Sequence, residues 1–238
     1  MAEPTQEAKV LRIRDLTPDV RELTLQPQER HVSFQPGQWV SLKLPIGERP
    51  PLVRAYSLAE PEAASGHLRL VFDRVPGGLG SGYLYTVREG SLVMLSGPHG
   101  RFVLPEPLSR DLFLIGRFTG IVPIHCIVRH FAETKMPIGV TIVSVSSSRD
   151  ELLYHEDFTE LAARDPQLRY ESLAPSRGRS WSIEAEVQTV QHRLAAVVGA
   201  RREIVPMVCG IKEFVRPIRA WFQERGFDRR EVKVETYD

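Results

Sequence analysis

Cysteine is scarce in this 238-residue sequence: there are two, Cys126 and Cys209, far apart along the chain. That excludes a disulfide framework. It also excludes, by count, a fused iron–sulfur module, which takes four thiolates or a His-substituted set. Long hydrophobic runs are missing, and Met1 to Lys9 is polar. With no leader and no membrane-spanning stretch, a cytoplasmic protein is the expectation; a monomer is one option, and the sequence leaves the oligomeric state open. Charge of one sign is missing too. The 31 basic and 30 acidic side chains leave a net +1, which gives no reason to expect nucleic acid or a membrane as partner. The seven histidines are scattered without metal-ligand spacing, so no metal site is assigned. There is no internal repeat and no low-complexity tract.

What is present divides in two. Residues 8 to 104 alternate and turn like a β domain. Val10–Arg14, Val20–Leu25, Gln38–Leu44, the stretch around Arg54–Ser57, His67–Phe72 and Ser91–Leu95 read as strands close to period two, at the spacing of a sandwich or small barrel. One helix, Ser81 to Val87, follows the glycines at 77, 78 and 80. Pro105 to Arg110, with two prolines, interrupts both periodicities and reads as a linker. Beyond it, continuous apolar strands alternate with helices: strands at 111–115, 140–145, 168–173, 205–209 and 231–235, helices at 120–134, 154–164, 183–198 and 212–225. That is the pattern of a parallel, doubly wound sheet. The boundaries expected are 1–105 and 106–238.

The chain is organised around Arg54-Ala55-Tyr56-Ser57. One strand there presents a guanidinium that can fork onto phosphate oxygens, an aromatic ring that can lie on a conjugated ring system, and a hydroxyl for a ring edge. Gly77-Gly78-Leu79-Gly80-Ser81 leads into the helix. Glycines and first-turn N–H groups suit a close-approaching anion. In the α/β half, ligands bind beyond the carboxyl ends of the strands. Gly116 to Pro123 and Cys209-Gly210 sit there.

A β-barrel followed by a nucleotide-type α/β domain, carrying Arg-x-Tyr-Ser, resembles the ferredoxin–NADP(+) reductase family of flavoproteins over nearly the whole chain. Gln35-Pro36-Gly37-Gln38, Arg54-Ala55-Tyr56-Ser57-Leu58, Gly77–Ser81, Gly97-Pro98-His99-Gly100-Arg101-Phe102, Thr119-Gly120-Ile121-Val122-Pro123, Val208-Cys209-Gly210 and Val234-Glu235-Thr236-Tyr237 match its motifs in order. The resemblance implies a six-stranded antiparallel Greek-key barrel binding FAD and a five-stranded parallel domain binding NAD(P). It implies that Arg54 and the Gly78, Leu79, Gly80 and Ser81 turn hold the flavin phosphates. Tyr56 and Ser57 would contact the flavin ring, with the backbone of Val71-Phe72-Asp73 alongside. Thr119, Gly120, Pro123, Cys209 and Gly210 would take the nicotinamide nucleotide. Cys209 would shape hydride transfer without acting as a nucleophile, Tyr237 would cover the flavin, and Glu235 would relay charge or protons near Ser57.

For the ribose phosphate, Ser147 and Arg149 end the second strand, and Ser176-Arg177 at the end of the third resembles a family contact. NADPH is therefore expected over NADH. No acidic residue follows strand two immediately, Asp150 and Glu151 coming later. Two departures stand out. Arg117-Phe118 occupies a place where the family has small residues; Arg117 is a candidate phosphate contact, and Phe118 either crowds the nicotinamide or turns away. Asp238 extends past Tyr237, either towards the flavin or into solvent. The activity implied is hydride exchange between NAD(P)H and FAD, then single-electron transfer with a separate ferredoxin- or flavodoxin-type carrier. Arg49, Arg54, Arg74 and Arg101 are candidates for attracting an acidic partner. The alternatives are an NADH-dependent reductase component of an oxygenase and a flavin electron-transfer or sensor subunit with impaired nicotinamide binding.

Overall fold

The computed structural model describes residues 4–47 and 50–237; the expectations placed on Arg49 and Asp238 lie outside them. The chain separates into two compact units, Met1–Leu104 with His125–His130, and Pro105–Ile124 with Phe131–Asp238.

In the first unit, β1 (Thr5–Thr17), β2 (Val20–Pro27), β3 (Trp39–Leu44), β4 (Leu52–Ser57), β5 (Leu68–Asp73) and β6 (Leu92–His99) form one antiparallel sheet in the order β4-β3-β6-β1-β2-β5. An antiparallel bridge between Leu58 and Leu70 joins the two ends of the sheet into a barrel. Alternation puts one face of each strand inside: Val10, Leu23, Leu25, Val40, Leu42 and Leu44 are fully buried, with Leu95 from β6. Helix α1 (Leu79–Leu84) starts two residues before the expected position and ends three before it. Gly82 N–H already donates to the Gly78 carbonyl. At the other end the Thr86 hydroxyl takes the Tyr83 carbonyl at 2.7 Å and stops the helix.

In the second unit, β7 (Asp111–Arg117), β8 (Val140–Val145), β9 (Leu168–Leu173), β10 (Ile204–Ile211) and β11 (Lys233–Tyr237) are all parallel, in the order β11-β10-β7-β8-β9. The connections are α2 (Ile121–Thr134), α3 (His155–Arg164), α4 (Ile183–Val198) and α5 (Lys212–Glu224). The order reverses between β7 and β10, so their carboxyl ends form the crevice where such sheets take ligands. β11 begins at Lys233 and not at Glu231. A turn holds 228–231, with Glu231 N–H on the Asp228 carbonyl and Asp228 N–H on Glu231 Oε2 at 2.8 Å.

The core of this unit closes on Phe222 of α5. Its ring is fully buried and meets Trp221, Phe227 and, edge-on at 6.5 Å between centroids, Phe113 of β7. Phe222→Ala should therefore cost about 3–5 kcal/mol, read as a drop in the unfolding midpoint. A wild-type midpoint would contradict this packing.

Candidate cofactor sites

In the first unit, three segments meet. Arg54 of β4 is exposed, and Nη1 donates to the Val53 carbonyl at 2.9 Å. Its stem lies against the glycine turn: a Cβ on Gly80 would stand 3.1 Å from Arg54 Cγ. The cation and the Gly78–Ser81 turn, far apart in sequence, are thus neighbours. Ser81 is buried, and its hydroxyl accepts from Val75 N–H at 3.1 Å, so it builds the turn. Two residues on from Arg54, Tyr56 packs edge-on to Phe72 of β5 at 5.6 Å. Burial pushes the Tyr56 hydroxyl up to about 12, with Arg54 opposing and Asp73 adding to the shift. It stays a neutral phenol. Ser57, Val71 and Phe72 are buried, Asp73 is half-buried and Ala55 is exposed. Large apolar side chains are exposed on these same segments, Val53, Val75 and Leu79, the last 65% accessible. An exposed cation, a ring and an apolar rim suit an anionic molecule with a planar ring. The residues present fit FAD.

Arg74 and Arg101 are exposed. Arg74 is engaged, its guanidinium lying 4.1 Å from the Tyr85 ring centroid.

In the second unit, the ends of β7 and β10 interlock. A Cβ on Gly120 would stand 2.4 Å from the Cys209 carbonyl oxygen, so only glycine allows this approach. Thr119 and Pro123 are buried beside it. Phe118 takes the left-handed region, φ +49, a conformation that costs a bulky L-residue about 1–2 kcal/mol. This explains why small residues suit the position. Arg117 departs from the phosphate-contact expectation. Its guanidinium is held bidentate by Glu186 of α4, Nε–Oε2 2.6 Å and Nη2–Oε1 3.1 Å. Glu186 is 0% exposed.

The Cys209 thiol is fully buried. Burial, then the Glu235 charge, pushes it well above the usual thiol range, against a hydrogen bond from Tyr237. It is a neutral thiol at physiological pH. Parallel register sets Cys209 opposite Glu235 and Ile211 opposite Tyr237, so Cys209, Glu235 and Tyr237 share one strand end. Ser57, the fourth residue of that expected set, belongs to the first unit.

The ribose-reading end differs in detail from the expectation. Ser147 donates to Glu151 Oε2 at 2.7 Å and Ser146 to the same oxygen at 3.2 Å. A carboxylate thus stands at the end of β8 after all, folded back from four residues on. Arg177 faces Asp150 at 3.5 Å and Arg149 is exposed. Ser176 lines a cavity of about 500 Å³ with Arg179, Ser180 and Trp181.

Sequence reasoning missed Glu186 and Trp181. Glu186 had a signal: it falls on the buried stripe of α4 with Val190, Leu194 and Val198, where a carboxylate requires a partner.

A profile of the oxidoreductase FAD-binding domain matches residues 7–104. Ferredoxin–NADP reductase B of Sorangium cellulosum (strain So ce56) is 31% identical over 100% of this chain and 99% of its own length. The glycine betaine monooxygenase reductase subunit of Pseudomonas aeruginosa (strain UCBPP-PA14) is 27% identical over 86% of this chain. The match spans only 56% of that protein. Among solved structures, the cytochrome P450 reductase GcoB of Amycolatopsis superposes with a TM-score of 0.80 at 25% identity, covering 99% of this chain and 71% of that one.

Arg117→Ala should destabilise the protein by about 3–5 kcal/mol, because it leaves a buried carboxylate unpaired. Arg117→Met combined with Glu186→Leu should recover most of the loss in chemical denaturation. Equal losses in both variants would show that packing, and not the pair, holds this helix.

Proposed function

Because the chain belongs to the ferredoxin–NADP reductase family of FAD-dependent oxidoreductases, we propose that it exchanges a hydride with NADPH and single electrons with a separate ferredoxin- or flavodoxin-type carrier. The observation that carries the flavin part is the contact of the Arg54 stem with Gly80, which brings the two anion-binding elements onto one spot. FAD, when bound, supplies the conversion between two-electron and one-electron transfer.

The chain's own residues position and screen. Arg54 neutralises phosphate charge, and the Gly78–Ser81 turn offers backbone N–H groups at a glycine surface. Tyr56 gives a ring face and Ser57 a hydroxyl at the end of β4, with the backbone of Val71–Asp73 beside them. In the other unit, Thr119, Gly120, Pro123, Cys209 and Gly210 shape the nicotinamide end. Cys209 contributes as a neutral, buried thiol. Tyr237 and Glu235 are grouped with it, which supports roles in admitting the nicotinamide and in tuning charge there.

The NADPH preference rests on the cavity of Ser176, Arg179, Ser180 and Trp181. Arg179 is the cation for the 2′-phosphate, with Ser176 and Ser180 as hydroxyl donors and the Trp181 ring for the adenine. Ser147, whose carbonyl accepts from the Trp181 N–H, and Arg149 and Arg177 on the flanking loops are further candidates for contact with the nucleotide. A second reading, an NADH-dependent reductase serving an oxygenase, is favoured by Glu151, whose carboxylate at the end of β8 suits an unphosphorylated ribose.

Anaerobic mixing of the flavin-loaded protein with NADPH, and separately with NADH, separates these readings through the rate at which the visible flavin band bleaches. Faster bleaching by NADPH is expected. Arg179→Ala should lower that preference about tenfold, or about 1.4 kcal/mol. Faster bleaching by NADH would replace the first reading by the second. A band that neither nucleotide bleaches would make the strained Phe118 loop a block, and the chain a flavin electron-transfer or sensor subunit.

A further inference from the structure

At the amino ends of β7, β10 and β11, a cleft of about 450 Å³ opens between Arg110, Val205, the 228–231 turn and Lys233, with Pro105 at its rim. Val205 lies four residues before Cys209 on β10. At about 3.3 Å per residue the cleft is roughly 13 Å down the strand from the nucleotide crevice.

Its charges do not balance. Arg110, Arg229, Arg230 and Lys233 face Asp228 and Glu231, four cations against two acids. Glu231 is already committed, to Arg110 at 3.2 Å and to the Asp228 N–H at 2.8 Å. That leaves Lys233, Arg229 and Arg230 against Asp228 alone. Lys233 is half-buried and makes no ion pair among the described residues. Burial holds its ammonium below the usual lysine range.

A further cation presses on the same turn. Arg219 of α5 donates from Nη2 to the Arg229 carbonyl at 2.6 Å. Its Nε is buried and has no hydrogen-bond partner among the described residues. Burial and then the Arg229 charge lower its affinity for the proton. Like charges gathered and partly desolvated with too few acids among them destabilise a fold unless an anion compensates them.

We infer that this cleft is a binding site for a small, multiply charged anion of the phosphate type, gripped by Lys233, Arg229 and Arg230. Guanidinium forks match phosphate oxygens, and the lysine adds a point charge from the floor. The volume exceeds that of a lone phosphate, and Pro105 and Val205 offer apolar surface to an organic body. The site owes nothing to the flavin or the nicotinamide nucleotide, so it stands or falls apart from the reductase reading.

The test uses the full-length, flavin-loaded protein labelled with 15N, titrated with inorganic pyrophosphate. Sodium chloride at matched ionic strength is the control. Saturable amide shifts centred on residues 228–233 are expected. Arg230→Ala, which alters an exposed side chain, and Lys233→Met should each weaken the apparent affinity about tenfold. Shifts that chloride reproduces, that fall only on 116–120 and 174–181, or that persist unchanged in both variants would overturn the assignment.

Discussion

Gly120 lies against the Cys209 carbonyl so closely that a methyl group there would stand 2.4 Å from the oxygen. This backbone-on-backbone approach fixes the ends of β7 and β10 together at the place where the order of the sheet reverses. Much else follows from it. The loop before Gly120 has to leave β7 sharply, so Phe118 takes a left-handed conformation that its side chain disfavours. Arg117, one residue earlier, is anchored to a buried Glu186 on α4. A buried ion pair contributes little net stability against an apolar alternative, but it specifies one arrangement where packing alone would accept several. Here the arrangement specified is the mouth of the crevice.

The first unit uses the same device with other residues. Gly80 allows α1 to rest on the stem of Arg54, and the hydroxyl of Ser81 is spent on shaping the turn before it. The guanidinium is left at the surface, next to a phenol kept neutral by burial. In both units small residues allow a close approach, and one cation is either left exposed, as at Arg54, or held in a buried ion pair, as at Arg117. Hydride transfer needs position more than it needs a reactive side chain. On the proposed reading Cys209 meets that demand, because burial favours its neutral thiol.

Much of this was readable in the amino-acid order, for physical reasons. Period-two alternation marks strands that bury one face, as in Trp39–Leu44, and continuous apolar runs mark strands buried on both, as in Asp111–Arg117. Glycines at 78, 80, 116 and 120 mark close approach. What escaped was chemistry that depends on which side chains meet. Arg117 looked like a phosphate contact because Glu186 is 69 residues away. Glu151 looked too late in the chain to reach the end of β8, yet a short 3-10 turn at Arg149–Glu151 carries it back to Ser147. Within residues 176–179, spacing alone does not show that Arg177 faces Asp150 while Arg179 lines the cavity. Turn hydrogen bonds, invisible to periodicity, moved the ends of α1 and the start of β11.

Whether Arg54 and the Gly78–Ser81 turn act as one clamp for FAD is decided by titrating flavin-free protein with FAD and following the quenching of flavin fluorescence, in the natural sequence and in Arg54→Ala. The clamp predicts stoichiometric binding of FAD by the natural sequence and a dissociation constant raised about tenfold or more by Arg54→Ala, equivalent to about 1.4 kcal/mol. Equal affinity in the two proteins, or no binding by either, would contradict it.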